Sequence, residues 1–368
     1  MSTLKVSAIQ DASGGNTATI NSMTPTADSL QGFRNRIING DMRIDQRNAG
    51  AATANTINGY VVDRWIVNQS TTGKVIAQQN AGSVTPPTGF ANYLGITSQS
   101  AYSVGSGDYY LIGQAIEGYN IADLNWGTAA AKTVTLSFWV RSSLTGTFGG
   151  SLANNGTARS YLFTYTISAA NTWEYKTVTV AGDTSGTWEK TTSTGLNVRF
   201  GLGVGSTYSG TAGSWSGSTY FSATGATSVV GTNGATFYIT GVQLEVGSTA
   251  TPFERRPYGT ELQLCQRYFQ RIDGIIGTAG SSTQVYISVN YPIEMRSNPT
   301  LSVSGAMEVT DIGAANYTQS SAHVAINSGT QLTTRGVLAF FNNFSGMTTY
   351  RPTIFVPNVN RLLLSAEL

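Results

Sequence analysis

The sequence predicts an all-β protein, two β-sandwiches joined by one short helix. Three observations lead there. Charged residues make up only 11% of the 368, against about 25% in an average soluble domain. Thr, Val and aromatic side chains, which fit a pleated half-buried surface, are plentiful. Apolar residues also recur at every second position along many short runs, with turn-forming Gly and Asn between them.

Residues 1–34 are small and polar, as in Ser13-Gly-Gly-Asn-Thr17, and cannot form a core of their own. They are read as an extended attachment arm. Residues 35–258 read as the larger sandwich. Val134, Leu136, Phe138 and Val140 alternate there with Thr133, Thr135, Ser137 and Trp139. Leu196, Val198, Phe200, Leu202 and Val204 repeat the pattern, with glycines 201, 203 and 205 on the opposite face. Many short strands without intervening helices point to an antiparallel sandwich rather than a βαβ fold. Thr236–Gly247 supplies one more strand and runs into the basic corner Pro252-Phe-Glu-Arg-Arg-Pro257. Residues 259–272 are expected to wind as a helical connector with Leu262, Cys265 and Phe269 on one stripe. That stripe offers a seam between subunits or a face packed on the parent domain. Strands at Gln284–Ile293, Thr300–Val303, Gly336–Phe341 and Pro352–Val356 then read as a second, smaller C-terminal β-sandwich over 273–368.

Composition and residue inventory exclude several functions. A net charge of +2 gives no field to concentrate nucleic acid or an anionic membrane. No run approaches the ~18 apolar residues of a membrane span, and the opening residues lack a signal-peptide core. The chain is therefore expected to fold in a cytoplasm. Cys265 is the single cysteine and His323 the single histidine, so one chain cannot build a disulfide, an ordinary zinc site or a Ser-His-Asp triad without enlisting that histidine. Glycoside hydrolysis needs two opposed carboxylates. Glu174, Asp183 and Glu189 lie in one region, but isolated carboxylates of this kind are more often solvated or ion-paired.

Asn39-Gly-Asp-Met-Arg-Ile-Asp-Gln-Arg47 and Tyr60-Val-Val-Asp-Arg-Trp65 carry a family resemblance, together with Leu136–Arg141, Asn171–Val178, Phe237–Glu245, Cys265-Gln-Arg-Tyr268, Met295–Thr300 and Ser365-Ala-Glu-Leu368. These runs resemble the fibre and spike proteins of tailed bacteriophages whose first domain is a jelly roll of the carbohydrate-binding-module type. The first residues are similar to the arms of cyanophage fibres. The resemblance implies a jelly roll over 35–258 and a non-enzymatic structural virion protein, a tail-fibre-type appendage that attaches to host surface glycans. It also implies a homotrimer, with Leu262, Cys265 and Phe269 as its seam, and docking to other virion proteins through residues 1–34. Its alternatives are a capsid-attached head fibre or decoration protein, and a polysaccharide depolymerase. Neither nucleic acid nor membrane insertion is implied.

Sugar-binding jelly rolls usually hold a structural calcium, with an acidic pair following Tyr-Ile in the last strand. Thr240 and Gly241 stand there instead, leaving Asp41 and Glu245 as calcium-ligand candidates. No cofactor is otherwise expected. Sugars bind through ring faces laid on aromatic side chains. Trp65, Trp139 and Trp173 are read as core or inter-sheet residues. The Gly- and Ser-rich loop 208–220 carries Tyr208, Trp215 and Tyr220 and is the candidate glycan-binding surface, with Trp126 and Tyr119 as further candidates of the same kind. The competing reading has Trp215 stapling that loop to its own domain or to a neighbour.

Overall fold

In a computed structural model of the chain, residues 33–54, 58–156, 158–311, 315–326, 332–356 and 361–368 are described. Most of the predicted arm lies outside the described residues.

The alternation at Val134–Ser142 does what period two requires. Val134, Leu136, Phe138 and Val140 are fully buried on one face of their strand. That strand belongs to a six-stranded sheet in the order Thr53–Ala54, Val75–Gln79, Leu94–Ser98, Thr236–Val246, Val134–Ser142, Glu174–Val180. Opposite lies a seven-stranded sheet in the order Trp215–Ser216, Ser160–Ile167, Gly146–Ala153, Thr194–Val204, Tyr109–Glu117, Trp65–Gln69, Asn58–Val62. The inner faces share one aromatic-rich core. Phe138 meets Phe200 edge-on at 4.9 Å and Tyr165 at 5.0 Å, and Trp65 is fully buried against the same Phe200. All pairings within these two sheets are antiparallel. The fold is thus the all-β sandwich that the sequence predicts.

The helix is shorter than expected. It spans Tyr258–Gln266, and Phe269–Ile272 is a strand paired antiparallel with Leu362–Ser365. The ladder satisfies the backbone of those four residues and overrides their modest helix propensity. Phe269–Ile272, Leu362–Ser365 and Thr300–Val303 form one sheet of a second sandwich. Its other sheet has seven strands, with Glu308–Asp311, Pro352–Phe355, Ile276–Ala279, Val285–Asn290 and Gly336–Phe341 side by side at its centre.

The proposed subunit seam is also corrected. Cys265 is completely buried and Phe269 nearly so, and Leu262 packs on the cluster of Ile38, Ile44, Cys265 and Tyr268. The stripe is taken up by the chain's own first sandwich, because Ile38 and Ile44 present a matching apolar surface. Burial pushes the Cys265 thiol well up, which makes it a packing group.

Charged residues lock the two sandwiches together. The Glu117 carboxylate accepts from Arg267 Nε at 2.9 Å, Arg267 Nη2 at 2.6 Å and Tyr268 Oη at 2.8 Å. Glu367 pairs with the buried Arg64 and with Arg47 at 3.0 Å. Arg64 lies over the Tyr268 ring at 3.6 Å, and Arg47 over Phe269 at 3.7 Å. Arg296 donates to the carbonyls of Ala366, Glu367 and Thr192.

Candidate functional site

On the outward face of the six-stranded sheet Trp139 and Tyr175 stand directly opposite one another, with ring centroids 5.4 Å apart and planes at 49°. Ser137 lies one step along the same face. The adjacent strand Thr236–Val246 contributes Gly241, where its pairing with Val134–Ser142 is interrupted by a register shift between Thr240 and Gln243. Gly241 has φ +61°, and a Cβ there would meet Phe90 at 2.7 Å and Trp139 at 3.2 Å. Glycine therefore serves twice, tolerating the left-handed backbone and letting two rings close over it.

Phe90 and Phe253 form the wall, edge to face at 5.2 Å, with the Arg255 guanidinium 4.7 Å over Phe90. Ala250, Thr251 and Pro252 complete a groove of ≈ 460 Å³. Tyr175 is 43% exposed within it. The 247–255 wall is fastened from beneath. Glu245 accepts from Thr251 N at 2.8 Å, Thr251 Oγ1 at 2.6 Å and Gln243 Nε2 at 2.8 Å, and Gln243 Oε1 accepts from Glu254 N at 2.7 Å. The result is an aromatic cleft with a few fixed polar groups, the composition of a small-ligand site. Its angled rings suit the apolar face of a sugar, and Ser137, Thr251 and Arg255 can address hydroxyls.

The structure places the sequence-predicted residues elsewhere. Trp126 is buried, its Nε1 donating to the Lys132 carbonyl at 2.7 Å. Trp215 is half-buried and donates to the Ala181 carbonyl at 2.8 Å. Trp126, Trp188 and Trp215 meet edge to face at 4.7–5.5 Å. Tyr208 stacks on Phe221 at 4.8 Å, and Tyr220 lies over Gly210. The loop's rings pack on their own domain, because Trp188, Phe221 and Tyr109 offer ring contacts and the Ala181 carbonyl takes the Trp215 N–H. Trp139 corrects the opposite expectation, since it faces out and forms part of the groove floor. Trp173 packs against Tyr93 at 5.6 Å, with its Nε1 bonded to the Thr85 carbonyl.

The residues present do not fit a calcium ion. Both Glu245 oxygens are engaged by Thr251 and Gln243, and Asp41 pairs with Arg43 at 3.3 Å. Where the 35–39 segment meets the 254–261 segment, Arg256 acts as the cation. Its guanidinium donates to the Asn35 and Ile37 carbonyls and faces Glu254 and Glu261 at 3.3 Å. Among the described residues no group of three or more His, Cys, Asp or Glu is arranged to hold a metal.

The three carboxylates weighed for catalysis are tied down. Asp183 receives Arg159 Nε at 2.7 Å and Nη2 at 2.5 Å. Glu174 is held below its usual range by Lys176, then by the amides of Ala169 and Ser168. Glu189 is lowered by Thr191 and the neighbouring backbone amides. A glycosidase acid needs a raised value, which Glu174 and Glu189 do not have.

No protein-family model and no curated protein matches the sequence. Solved structures similar to the chain include the enzymatically active domain of bacteriophage CBA120 tailspike protein 4, with TM-score 0.34 and 13% identity over 59% of this chain and 22% of that one. Another is the family 11 carbohydrate-binding module of Clostridium thermocellum in complex with a mixed-linked tetrasaccharide, with TM-score 0.27 and 14% identity over 54% of this chain and 99% of the module.

Proposed function

We propose that the chain is a non-enzymatic structural virion protein, a tail-fibre-type appendage whose aromatic groove attaches to glycans on the host surface. The observation that carries the binding role is the pairing of Trp139 with Tyr175 under the Phe90–Phe253 wall. The motifs similar to phage fibre proteins support the virion role, and the tied-down carboxylates support a binding rather than a hydrolytic site. Homotrimerisation belongs to the same reading, with a different contact from the helix stripe. The outward face of the C-terminal seven-stranded sheet exposes Ile276, Tyr286, Leu338 and Ile354 at 41–66%, an apolar surface of the kind that marks an interface.

A glycan array followed by titration of the best hit tests the groove. Trp139→Ala is expected to weaken binding at least tenfold, about 1.4 kcal/mol, with unchanged circular dichroism. Undiminished affinity in both Trp139→Ala and Tyr175→Ala would remove the groove from the proposal. Immunogold labelling of virions tests location: label at the tail is expected, and label confined to the head would make the chain a head fibre or decoration protein. Release of oligosaccharides from host polysaccharide would overturn the non-enzymatic assignment.

A further inference from the structure

Arg199 lies in the strand Thr194–Val204, between the fully buried Val198 and Phe200. Its side chain therefore leaves the seven-stranded sheet on the side away from the core. Ser151 and Gly113 stand directly opposite it on the two flanking strands. Gly113 leaves room for the arginine stem, since a Cβ there would already touch Arg199 Cγ at 3.4 Å. Farther along the same strand Gly201 lets the loop above come down, a Cβ there meeting Ser222 Oγ at 2.7 Å. Beside Ser222, Phe221 lies 4.8 Å from the guanidinium carbon.

This niche lacks negative charge. Arg64, Arg159, Arg256 and Arg267 each face a carboxylate, whereas the Arg199 side chain makes no ion pair or hydrogen bond among the described residues. Arg199 Nη1, Ser151 Oγ and Ser222 Oγ are all buried without a hydrogen-bond partner. Burial alone lowers the guanidinium to about 10, which registers the same deficit. Buried cations are ordinarily paired, and a forked guanidinium beside hydroxyl donors is the arrangement that receives an oxyanion. The residue keeps partial exposure, so part of its side chain meets solvent at the edge of the niche.

We infer that Arg199, Ser151 and Ser222 form a binding niche for a small oxyanion, a carboxylate, sulfate or phosphate group, on the sheet opposite the aromatic groove. Two sources share this chemistry, a free inorganic anion and the acidic group of a uronic or sulfated sugar. The inference is independent of the groove, and Trp139→Ala should leave it intact.

Thermal-shift and calorimetric titrations with sodium sulfate, sodium glucuronate, glucose, and sodium chloride at matched ionic strength provide the test. Sulfate and glucuronate are expected to raise Tm and bind saturably, while glucose and chloride do neither. Arg199→Met should reduce oxyanion affinity at least tenfold. Tighter binding of a glucuronate-containing oligosaccharide than of sulfate would identify the sugar as the source, and the reverse order a free anion. Both support the niche. The inference is overturned if neither oxyanion binds the wild-type chain above the chloride control, or if Arg199→Met binds as well. Should Arg199→Met fail to fold, Ser222→Ala titrated in the same way decides, with unchanged oxyanion affinity counting against the niche.

Discussion

On the six-stranded sheet Trp139 and Tyr175 stand in register and are walled by Phe90 and Phe253. On the C-terminal seven-stranded sheet Ile276 and Ile354 also stand in register, but they lie open, 66% and 46% exposed. Both surfaces come from period-two strands with an apolar outward position, so pleat chemistry does not separate them. Enclosure does. The first face is bounded by the 247–255 return, which the Glu245–Thr251 and Gln243–Glu254 bonds hold upright. A walled, aromatic face fits a small rigid ring, whereas an open aliphatic face fits another broad surface.

The largest effect that would sharpen this contrast comes from Arg256. Arg256→Ala leaves Glu254 and Glu261 without their cation in a buried joint and is expected to lower stability by about 3–5 kcal/mol. Glycan binding should fall with it, because Glu254 anchors the wall. Chemical denaturation measures the first and titration the second; wild-type stability would deny Arg256 its place as the internal cation.

Next comes Gly241→Ala, which forces a Cβ against Phe90 at a left-handed position. A loss of about 1–3 kcal/mol is expected, with weaker binding and no change in association. If binding survived, the groove floor would not need the close approach described above.

Leu338→Lys tests the open face from the other direction. Its effect on protomer stability should stay within about 0.5 kcal/mol, while sedimentation shifts from oligomer to monomer and glycan titration is unchanged. An unaltered oligomer would mean that the exposed face is not the contact.

The smallest effect is one of slope. Burial raises the Asp63 carboxyl from 3.8 to about 6, so the folded chain holds that proton more tightly than the unfolded chain. Its contribution to stability is fully present below 3.8 and is lost as pH rises through about 6. Asp63→Asn should therefore flatten the fall in Tm between these values relative to wild type. Parallel curves for the two proteins would contradict the assignment.

Much of the fold was legible in the sequence, because alternation reports directly which side chains face a core. The alternation sets Trp139 on one face with Thr135 and Ser137, yet its place in a strand of the resembled family argues for packing. What local pattern cannot show is convergence. Phe90, Trp139, Tyr175 and Phe253 come from four separate segments, and only the paired strands and the Gly241 irregularity assemble them. The same limit holds for the 208–220 loop, whose glycines and serines signal exposure. Trp188 and Trp126 capture Trp215 from distant positions. At Phe269–Ile272 the partner strand comes from Leu362–Ser365, so the helical reading had no local warning.

The charged joint between the sandwiches also sets an order in time. Arg64 is made 303 residues before its partner Glu367, which at ~5–20 residues per second is a wait of roughly 15–60 s on the ribosome. Glu117 waits likewise for Arg267, 150 residues later. During that interval the first sandwich can close its own sheets, while Arg64 and Glu117 present opposite charges on an unfinished edge. A nascent chain in this condition carries two charges without their partners, and the arrival of Arg267 and then Glu367 neutralises them.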